Sequence, residues 1–594
     1  MDKKIIQERL YDFRSFMGVD GLGAYIIVSS DPHSSEYVAD CWKAREWISG
    51  FDGSAGTVVI TEDRALLWTD SRYWLAAEKA LECTGFELMK DGAPGTPSIT
   101  EWLCANLVKG AYVGVDDVVC TVSQVEAWGD ELSAGGLKLV TAPNPLMNVW
   151  VQRPDLPLGA VELLPLEFCG ESASSKIARL RSTLATQGVD GVLITMLDEV
   201  AWLTNLRGSD IDYNPVFVAY MFITATDATL MIDSRKVSPS VREYLAGEGI
   251  GLAEYNEVYT LFKKYNGLSI MVQPNRCNRS VYGSLAVSCN VLFNDSPVAM
   301  MKAVKNDVEI DGFKKAMHSE GVAMVRLLRF LKPAVEQGGL TELDVDSMLT
   351  NLRSKDADFR GLSFATIAAY GANAAIVHYE PTPVDNATLA PRGFLLLDCG
   401  GQYLCGTTDV TRTIPLGELT DEEREDYTRV LRGHISLAMA KFPKGTCGTQ
   451  LDVLARQWLW QAGENYLHGT GHGVGHYLNV HEGPHQIRMN NMPTPLQPGM
   501  TVTNEPGLYK AGRHGIRIEN TMLVKHYCES EFGAFYELEP LTLCPIDTTP
   551  VIPEILGADA IAYLNAYNAM VCKALSPSLN DEERKFLEEI TRPI

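Results

Sequence analysis

The sequence predicts a multidomain α/β protein in which one helix–strand unit is present twice. The segment ERLYDFRSFMGVDGLGAYIIVSSD reads as a helix, a Gly-Val-Asp turn and an apolar strand. The segment KIARLRSTLATQGVDGVLITMLDEV, which begins at Lys176, repeats this pattern. A chain of 594 residues is also too long for one hydrophobic core. Because two copies are too few for a solenoid, we expect a duplicated α/β domain followed by a further domain.

The first copy starts with a helix and continues into three strands. The first strand covers 24–31 and ends in polar residues. Two more strands are expected within 50–61 and at the start of 65–81, and Arg72 lies in the turn between the last strand and a helix. The opening helix is predicted from four apolar residues at helical spacing: Leu10, Phe13, Phe16 and Met17.

The second copy covers 176–210, and a Pro-rich stretch at 141–159 separates it from the first. A third region opens near residue 300. These signals predict domains at 1–150, 151–300 and 301–594.

The third region begins with helices and continues into strands. A helical pattern over 303–333 is expected to end at Pro333, and Thr341 is expected to start the next helix. Thr420 and Glu423 form a capping-box signature for a helix that reaches about Phe442. Strands are predicted at 500–505 and 515–523, and the tail after Pro545 is expected to be helical.

Composition argues against nucleic-acid and membrane partners. The net charge is −24 and no Lys/Arg run is present, whereas a nucleic-acid binder would present a basic face. No apolar run approaches the length of a membrane span, and the N-terminus lacks an apolar signal core. Thirteen scattered cysteines without a C-x-x-C motif indicate reduced thiols. We therefore expect a soluble cytoplasmic protein.

A histidine- and glycine-rich stretch, HGTGHGVGHYLNVHEGP at 468–484, is the densest functional signal. Each glycine in a helix costs about 1 kcal/mol relative to alanine, so we expect a loop or a strand edge. The three histidines at four-residue spacing are therefore not a helical zinc motif, and no HExxH is present.

Four carboxylates and one imidazole form a candidate metal site. Strand 393–401 would deliver Asp398, and the returning strand Asp409, so a hairpin would place the two carboxylates side by side. Two like charges there are costly without a cation. Hard oxygen ligands with one nitrogen suit Mn²⁺, Co²⁺ or Fe²⁺, and two bridged ions could hold a hydroxide as the nucleophile for acyl hydrolysis. The other three candidate ligands are His472, Glu505 and Glu519.

The order of these motifs resembles the pita-bread metallopeptidases, in particular the long Xaa-Pro aminopeptidase (aminopeptidase P) branch. LLLDCGG, TTDVTRT, HGTGHGVGH, VTNEPGLY and GIRIENT carry the resemblance, and SSDPHSSEYVA, FDGSAGTVVIT, LWTDSRYWLAA and AYGANAAIVHYEP extend it almost end to end. It implies an α/β (α+β) chain with two creatinase-like N-terminal α/β domains and a C-terminal pita-bread catalytic domain with a helical extension. It also implies a homodimer formed through the C-terminal domain.

The resemblance further implies release of the N-terminal residue from peptides with proline at the second position. The implied cofactor is two Mn²⁺ per subunit, with Co²⁺ or Zn²⁺ as substitutes. Asp398 would bind one ion, His472 and Glu505 the other, and Asp409 and Glu519 would bridge them; Glu505 is also the general-base candidate. The implied catalytic and substrate-binding residues are Arg72, His378, His468, His481 and Arg517, with Arg517 expected on the same strand face as Glu519. His476 stands where the family pattern implies a smaller residue.

Several related activities remain as alternatives. A prolidase-type Xaa-Pro dipeptidase has the same fold but is usually shorter, without the second N-terminal domain. A methionine aminopeptidase would lack the N-terminal domains, and a metal-free creatinase-type enzyme would lack the five ligands. A non-catalytic peptide- or histone-binding relative would have lost ligands, whereas all five positions are filled here.

Overall fold

The computed structural model describes residues 3–594, which fall into two compact units. Unit 1 consists of the residues up to Leu164 together with Glu171–Val298. Unit 2 consists of Pro165–Gly170 and Ala299–Ile594. Among the described residues, no helix is long and apolar enough to cross a membrane. All thirteen cysteines, which lie within this described part, are free thiols.

The first half of unit 1 is built on a six-stranded sheet. Its strands are β1 (Leu22–Val28), β2 (Thr57–Thr61), β3 (Ala65–Thr69), β4 (Glu87–Lys90), β5 (Tyr112–Val115) and β6 (Lys138–Val140). Its helices are α1 (Lys3–Val19), α2 (Ala44–Ser49), α3 (Trp74–Leu81), α4 (Ile99–Asn106), α5 (Val122–Ala134) and α6 (Leu146–Val149). The strand order is β4-β3-β2-β1-β5-β6, with β1 antiparallel to β2 and parallel to β5.

The predictions for this half are confirmed. Arg72 lies in the turn between β3 and α3, as expected. Helix α1 forms over the four residues at helical spacing; it buries Leu10, Phe13 and Met17, while Phe16 is 37% exposed.

The second half of the N-terminal region has the same architecture. Its strands are β7 (Glu162–Leu163), β8 (Gly191–Ile194), β9 (Leu206–Arg207), β10 (Ala219–Thr224), β11 (Ala228–Ile232), β12 (Gly251–Ala253), β13 (Ser269–Val272) and β14 (Asn290–Phe293). The helices are α7 (Leu166–Cys169), which is part of unit 2, then α8 (Ala173–Thr186), α9 (Leu197–Thr204), α10 (Pro239–Gly247) and α11 (Arg279–Ala286). The main sheet has the order β12-β11-β10-β8-β13-β14.

The two sheets match strand for strand. Each first strand, β1 or β8, is antiparallel to the strand on one side and parallel to the strand on the other. Both sheets then end in a parallel pair at each edge. This shared topology confirms the duplicated α/β domain.

Unit 2 combines small antiparallel sheets with long helices. Its strands are β15 (Phe359–Leu362), β16 (Ile367–Tyr370), β17 (Phe394–Cys399), β18 (Gly401–Tyr403), β19 (Gly406–Thr407), β20 (Val410–Pro415), β21 (Lys441–Pro443), β22 (Gly471–Gly473), β23 (Glu482–Ile487), β24 (Thr501–Asn504), β25 (Gly507–Lys510), β26 (His514–Arg517), β27 (Asn520–Ser530) and β28 (Gly533–Pro540). The remaining helices are α12 (Pro297–Ala303), α13 (Asp307–Gln337), α14 (Glu342–Arg353), α15 (Asp421–Ala438), α16 (Gly448–Trp460), α17 (Pro553–Leu556), α18 (Ala558–Leu575) and α19 (Asp581–Ile590).

The helix starts of unit 2 were predicted better than the helix ends. Thr341 caps α14 and Thr420 caps α15, each in a capping box. Helix α13, however, continues through Pro333 to Gln337, so the predicted stop was wrong. Proline removes one hydrogen bond near the helix end, but the next turn still packs Val335 into the core.

The end of α15 was also misplaced. The helix stops at Ala438, and Phe442 lies in β21 instead. Phe442 is buried against Tyr536 of β28, with which it pairs, so a sheet contact rather than the helix holds it. The helical tail was correctly predicted: α18 packs against α15 in one core through Leu564, Val571 and Leu431.

Candidate metal centre

Two carboxylates are delivered by the paired strands β17 and β20. Asp398 lies in β17 opposite Thr411, and Asp409 is the residue just before β20. Since side chains alternate along a strand, Asp409 is on the same face as Thr411 and therefore diagonal to Asp398. The strands are adjacent as predicted, but the two carboxylates are offset along them rather than directly opposite. Cys399 beside them is buried, and burial raises its pKa well above the usual value.

Glu519 lies where the predicted 515–523 strand is interrupted. Strand β26 ends at Arg517 and β27 begins at Asn520, so Arg517 and Glu519 do not share one continuous strand. The strand is interrupted at Glu519 because this residue forms its hydrogen bonds with Thr411 of β20. Its N–H donates to the carbonyl of Thr411 at 3.1 Å, and the Thr411 hydroxyl donates to its Oε2 at 2.8 Å.

The glycine-rich stretch forms a strand edge, as predicted, and carries His472. Strand β22 is the three-residue segment Gly471–Gly473, paired with β23. A Cβ added to Gly471 would lie 1.9 Å from the Thr503 carbonyl oxygen, so only glycine allows this approach to β24. On that side Glu505 follows β24 directly, and its N–H donates to the carbonyl of Thr470 at 2.8 Å.

Three of the five predicted ligands converge on one point. One ligand atom from each of Asp409, His472 and Glu519 lies within 4.8 Å of the others. His472 Nε2 is 3.5 Å from Asp409 Oδ2 and 3.6 Å from Glu505 Oε1, which adds the fourth. His472 Nδ1 lies 2.9 Å from the Gly473 carbonyl. Because a carbonyl only accepts, the neutral ring donates from Nδ1 and presents the lone pair of Nε2 to the carboxylates.

The fifth predicted ligand, Asp398, is oriented by Arg517. Two guanidinium nitrogens donate to Asp398 Oδ2, at 3.1 Å from Nε and 2.6 Å from Nη2. The other oxygen, Oδ1, is buried and has no hydrogen-bond partner in the described part of the chain. The third guanidinium nitrogen, Nη1, donates to the Tyr509 hydroxyl at 2.6 Å. One oxygen of Asp398 is thus fixed by a cation, and the other is open to a ligand.

The electrostatics of this cluster are unfavourable without a cation. Burial, together with the charges of Glu519, Asp398 and Glu505, raises the pKa of Asp409 well above its usual value. Burial and the charge of Asp398 raise the pKa of Glu519 to about 7. The lone pair of His472 Nε2 faces carboxylate oxygens of Asp409 and Glu505 at 3.5 and 3.6 Å. A divalent cation is suited to bind between such donor atoms. The donor set therefore fits two hard or borderline metal ions.

The candidate proton-handling histidines surround the ligands. The ring centroid of His481 is 4.3 Å from that of His472. His468 Nε2 lies 2.9 Å from the Tyr509 hydroxyl, and its Nδ1 lies 2.7 Å from the Gly469 carbonyl. His378 follows Val377, whose carbonyl accepts a 3.4 Å hydrogen bond from Arg517.

Two other predicted residues have different surroundings. Arg72 belongs to unit 1, where it pairs with Asp70 at 2.8 Å. His476 is buried in unit 2, and its ring packs edge-on against Phe313 at a centroid distance of 5.6 Å.

Sequence reasoning missed two residues that support the site. Tyr509 connects His468 to Arg517, and burial raises the pKa of its hydroxyl to about 12, so it stays protonated at neutral pH. Arg412 is buried behind Thr411 and donates to the Glu519 carbonyl at 2.5 Å. Tyr509 stands within the motif VTNEPGLY and could have been singled out there. Arg412 likewise stands within the motif TTDVTRT, but its partners Asn520, Cys544, Pro545 and Tyr567 are distant in sequence, so the motif did not indicate what it contacts.

Comparisons with protein families agree with this architecture. Residues 311–526 match metallopeptidase family M24, and 534–594 match the C-terminal region of that peptidase family. Residues 9–149 and 152–309 each match a creatinase/prolidase N-terminal domain. These matches support two creatinase-like domains followed by a pita-bread domain.

Relatives that match over their full length indicate a group within the M24 metallopeptidases. A probable Xaa-Pro aminopeptidase P of Laccaria bicolor is 42% identical over 97% of this chain and 91% of that protein. Xaa-Pro aminopeptidase 1 of Dictyostelium discoideum is 38% identical over 100% and 97%, respectively.

Solved structures give the same result. The X-prolyl aminopeptidase of Caenorhabditis elegans, described as a cytosolic enzyme with a di-nuclear active site, superposes with a TM-score of 0.95 at 35% identity. It covers 99% of this chain and 100% of its own. An Xaa-Pro dipeptidase from Bacillus anthracis reaches a TM-score of 0.52 at 26% identity and covers 63% of this chain, which does not favour the prolidase alternative. The chain therefore belongs to the Xaa-Pro aminopeptidase family of M24 metallopeptidases.

Proposed function

We propose that this protein hydrolyses the peptide bond between an N-terminal residue and a following proline. The observation that carries the proposal is the convergence of Asp409, His472 and Glu519 within 4.8 Å, with Glu505 beside His472. Buried carboxylates that close together are strongly unfavourable when ionised, and a cation between them relieves this. The full-length similarity to Xaa-Pro aminopeptidases supplies the substrate class.

We assign the metal ligands as the sequence predicted. Asp398 would hold one ion through its open Oδ1, His472 and Glu505 would hold the other, and Asp409 and Glu519 would be shared between the two. We propose two Mn²⁺, with Co²⁺ or Zn²⁺ as substitutes; when bound, such ions would supply Lewis-acid polarisation of the scissile carbonyl and a lower pKa for water. We assign Glu505 as the general base; its side chain, at 18% exposure, is more accessible than that of Asp409, at 6%, which supports this role.

The surrounding histidines handle protons and orient the peptide. His468 accepts a hydrogen bond from Tyr509 in its neutral form, so its Nε2 can exchange a proton through that hydroxyl. His481 lies edge-on to His472 and can reach the same substrate face. His378 shapes the proline subsite. Arg517 donates hydrogen bonds to Asp398 Oδ2 and to the carbonyl of Val377, the residue before His378. Arg72 contacts longer peptides.

Peptide specificity follows from the missing N–H of proline. An ordinary extended-peptide site loses one hydrogen bond at that position, so a site shaped for the ring gains selectivity over alanine. Steady-state kinetics on Xaa-Pro-Xaa and Xaa-Ala-Xaa tripeptides, with Xaa-Pro dipeptides in parallel, test this directly. We expect cleavage of the proline tripeptide only. Equal cleavage of the alanine tripeptide contradicts the specificity, and preference for the dipeptide identifies a prolidase.

Metal analysis separates the enzyme from a non-catalytic relative. We expect two ions per chain at saturation and the highest turnover with Mn²⁺. Replacement of His378, His468 or His481 by alanine should lower turnover by about 10²–10⁴-fold, the usual contribution of a general acid–base group, with the metal content near normal. Loss of metal from His481→Ala would instead identify His481 as a ligand.

We further propose a cytoplasmic homodimer formed through residues 301–594. The hairpin of β27 and β28 exposes Tyr527 and Phe532 by 52% and 80%, which offers apolar surface for a subunit contact. The cytoplasmic location is supported by the thirteen free thiols and by the cytosolic C. elegans relative. Sedimentation analysis of the parent and of Phe532→Ser tests the dimer; a monomeric parent contradicts it.

A further inference from the structure

We propose that Glu342 is a positioning residue that fixes the segment 370–387, called here the His378 segment, in its working conformation. The proposal rests on the role of His378 proposed above. Glu342 is the first residue of α14 and is fully buried. It lies 36 positions before His378 in sequence, yet it is hydrogen-bonded to both ends and the middle of the segment that carries this histidine.

Four donors from the His378 segment converge on the Glu342 carboxylate. At its start the Tyr370 N–H donates at 2.6 Å, and at its end the Ala387 N–H donates at 2.6 Å. In the middle the Asn373 amide lies 3.1 and 3.2 Å from the two oxygens, and the Tyr379 hydroxyl lies 2.9 Å from Oε2. The Tyr379 hydroxyl oxygen also lies 3.1 Å from the Asp385 carbonyl oxygen, farther than from Oε2, which leaves the carboxylate as the nearer acceptor of its single proton. One side chain thus closes a loop of eighteen residues.

These four hydrogen-bond donors require an acceptor at both oxygens of residue 342, which a carboxylate provides and an amide of the same size does not. All four partners are neutral donors, and an ionised carboxylate only accepts. Each oxygen receives a backbone N–H at 2.6 Å, Oε1 from Tyr370 and Oε2 from Ala387. Glutamine would therefore place its NH₂ against a backbone N–H in either orientation. Glu342→Gln is nearly isosteric, yet it loses at least one contact however the amide is turned.

The far side of the same segment lies against the candidate metal centre. The Val377 carbonyl, next to His378, accepts from Arg517, which also holds Asp398. A Cβ added to Gly515 of β26 would lie 1.7 Å from the Ala374 carbonyl oxygen, so the segment rests directly on that strand. Arg517 therefore contacts the segment at Val377 and Glu342 contacts it at Tyr379. His378 lies between these two residues in sequence.

Helix α14 is a firm base for this role. Its capping box at Thr341 and its buried residues Val345 and Leu349 fix the first turn in the core of unit 2. A group placed on a rigid element positions its contacts more closely than one on a loop. Because a displacement of about 1 Å can cost about 10²-fold in rate, a released segment should lower activity through His378.

A double-mutant cycle between Glu342 and His378 tests the proposal. Glu342→Gln should lower kcat/KM on an Xaa-Pro-Xaa tripeptide by about 10²-fold. The same substitution in a His378→Ala background should cause little further loss, since the positioned group is already absent. Mn²⁺ affinity, measured by calorimetric titration of the metal-free protein, should stay within about 3-fold of the parent in every variant.

A matched control comes from the same helix turn. Asp344→Asn removes the carboxylate of the capping box, which accepts from Thr341 and does not contact the His378 segment. It should match any destabilisation of α14 while it leaves kcat/KM near the parent value. If Glu342→Gln does not fold, Tyr379→Phe removes one of the four donors and should give a smaller loss with the same dependence on His378.

The outcomes separate the two proposals. An equal loss from Glu342→Gln with and without His378, or a loss of Mn²⁺ affinity, overturns the positioning role and assigns Glu342 to general stability. An unchanged kcat/KM in Glu342→Gln overturns it as well. No effect of His378→Ala in the parent, or no cleavage of proline peptides at all, instead overturns the proposed function on which this inference rests.

Discussion

Two groups of buried carboxylates in unit 2 differ in what neutralises them. Glu482 of β23 contacts the ammonium groups of Lys302, at 2.5 Å, and Lys305, and all three side chains are at most 3% exposed. Asp409 and Glu519 are buried to a similar degree, but they face each other, Asp398 and the lone pair of His472. The protein supplies two lysines to Glu482, whereas at the second group the guanidinium of Arg517 pairs with Asp398.

This difference shows which part of the structure depends on a ligand. Desolvation is severe for both groups, since burial of an ion costs several kcal/mol unless it is paired. The lysines offset it for Glu482. Burial and like charge instead raise the pKa values of Asp409 and Glu519. A divalent metal is the missing partner, and the neutral donors around Glu342 represent a third solution to the same problem.

Removal of a bridging carboxylate should have the largest effect. Asp409→Asn should lose bound metal and lower kcat by more than the about 10²–10³-fold that loss of a single stabilising donor costs. Metal content and turnover are measured on the same preparation. Asp426→Asn is the control, because Asp426 is equally buried but already paired with Lys510 at 2.6 Å. Full turnover by metal-free Asp409→Asn protein would contradict the view that Asp409 and Glu519 depend on a bound metal.

Removal of Glu482, the carboxylate shared by Lys302 and Lys305, should have the next largest effect. Glu482→Gln removes the carboxylate that buried Lys302 and Lys305 share and should lower the free energy of unfolding by about 3–5 kcal/mol. Added Lys305→Met should recover part of this loss. The control Glu537→Gln breaks a partly exposed pair with Lys441 and should cost under about 1 kcal/mol. Urea unfolding measures all three variants; equal midpoints for the two glutamine variants contradict the prediction.

The metal-free site should make stability fall as the pH rises. In the folded protein the pKa of Glu519 is about 7, above its ordinary value of 4.5, so the stability this group provides at low pH is lost as the pH rises through 7. Metal-free Glu519→Gln should avoid a loss on the order of 2–3 kcal/mol between pH 5 and 8.

Comparison of variant with parent cancels the opposite slope from buried His434 and His485. Burial lowers their pKa values to about 3 and 4, so their contribution is lost as the pH falls. Denaturant unfolding at pH 5 and pH 8 provides the four values. Parallel pH dependence of parent and Glu519→Gln would show that the cluster is not strained by ionisation.

The smallest stability effect is expected at Arg72 of unit 1. Its pair with Asp70 is partly exposed, at 26% and 37%, so Arg72→Ala should cost under about 1 kcal/mol of unfolding free energy. Metal content should not change, while cleavage of longer Xaa-Pro peptides should weaken more than the chemical step. Steady-state kinetics on a tripeptide and a longer peptide measure this. Unaltered KM and kcat would remove Arg72 from the substrate contacts.

Local signals in the sequence predicted the elements and the ligands, but not their exact ends. Thr341 and Thr420 marked helix starts because capping depends on residues three apart. Pro333 did not stop α13, and Glu519 interrupted a predicted strand, because tertiary contacts outweighed local preference at both positions. The five candidate ligands could be singled out because the four carboxylates stand in or beside apolar strands and His472 stands in the glycine-rich stretch, each within a recognisable motif.

The supporting residues could not be predicted, because their partners are distant in sequence. Glu342 contacts residues 28 to 45 positions later, and Arg412 contacts Pro545 and Tyr567, more than 130 positions away. Glu342 stands in none of the motifs named above, and Arg412 stands in TTDVTRT without any local sign of what it contacts. Their roles depend on which chain segments meet in the folded protein, and that information is absent from local patterns.

The contacts of Arg412 also constrain how this protein could have changed during evolution. Its buried guanidinium donates to the Glu519 carbonyl on one side and to the Cys544 and Pro545 carbonyls and the Tyr567 hydroxyl on the other. Deletion of the region after β28 would leave this cation without several of its acceptors, directly behind a candidate metal ligand. A shortened form of the chain would therefore be expected to tolerate the deletion better if Arg412 were replaced as well.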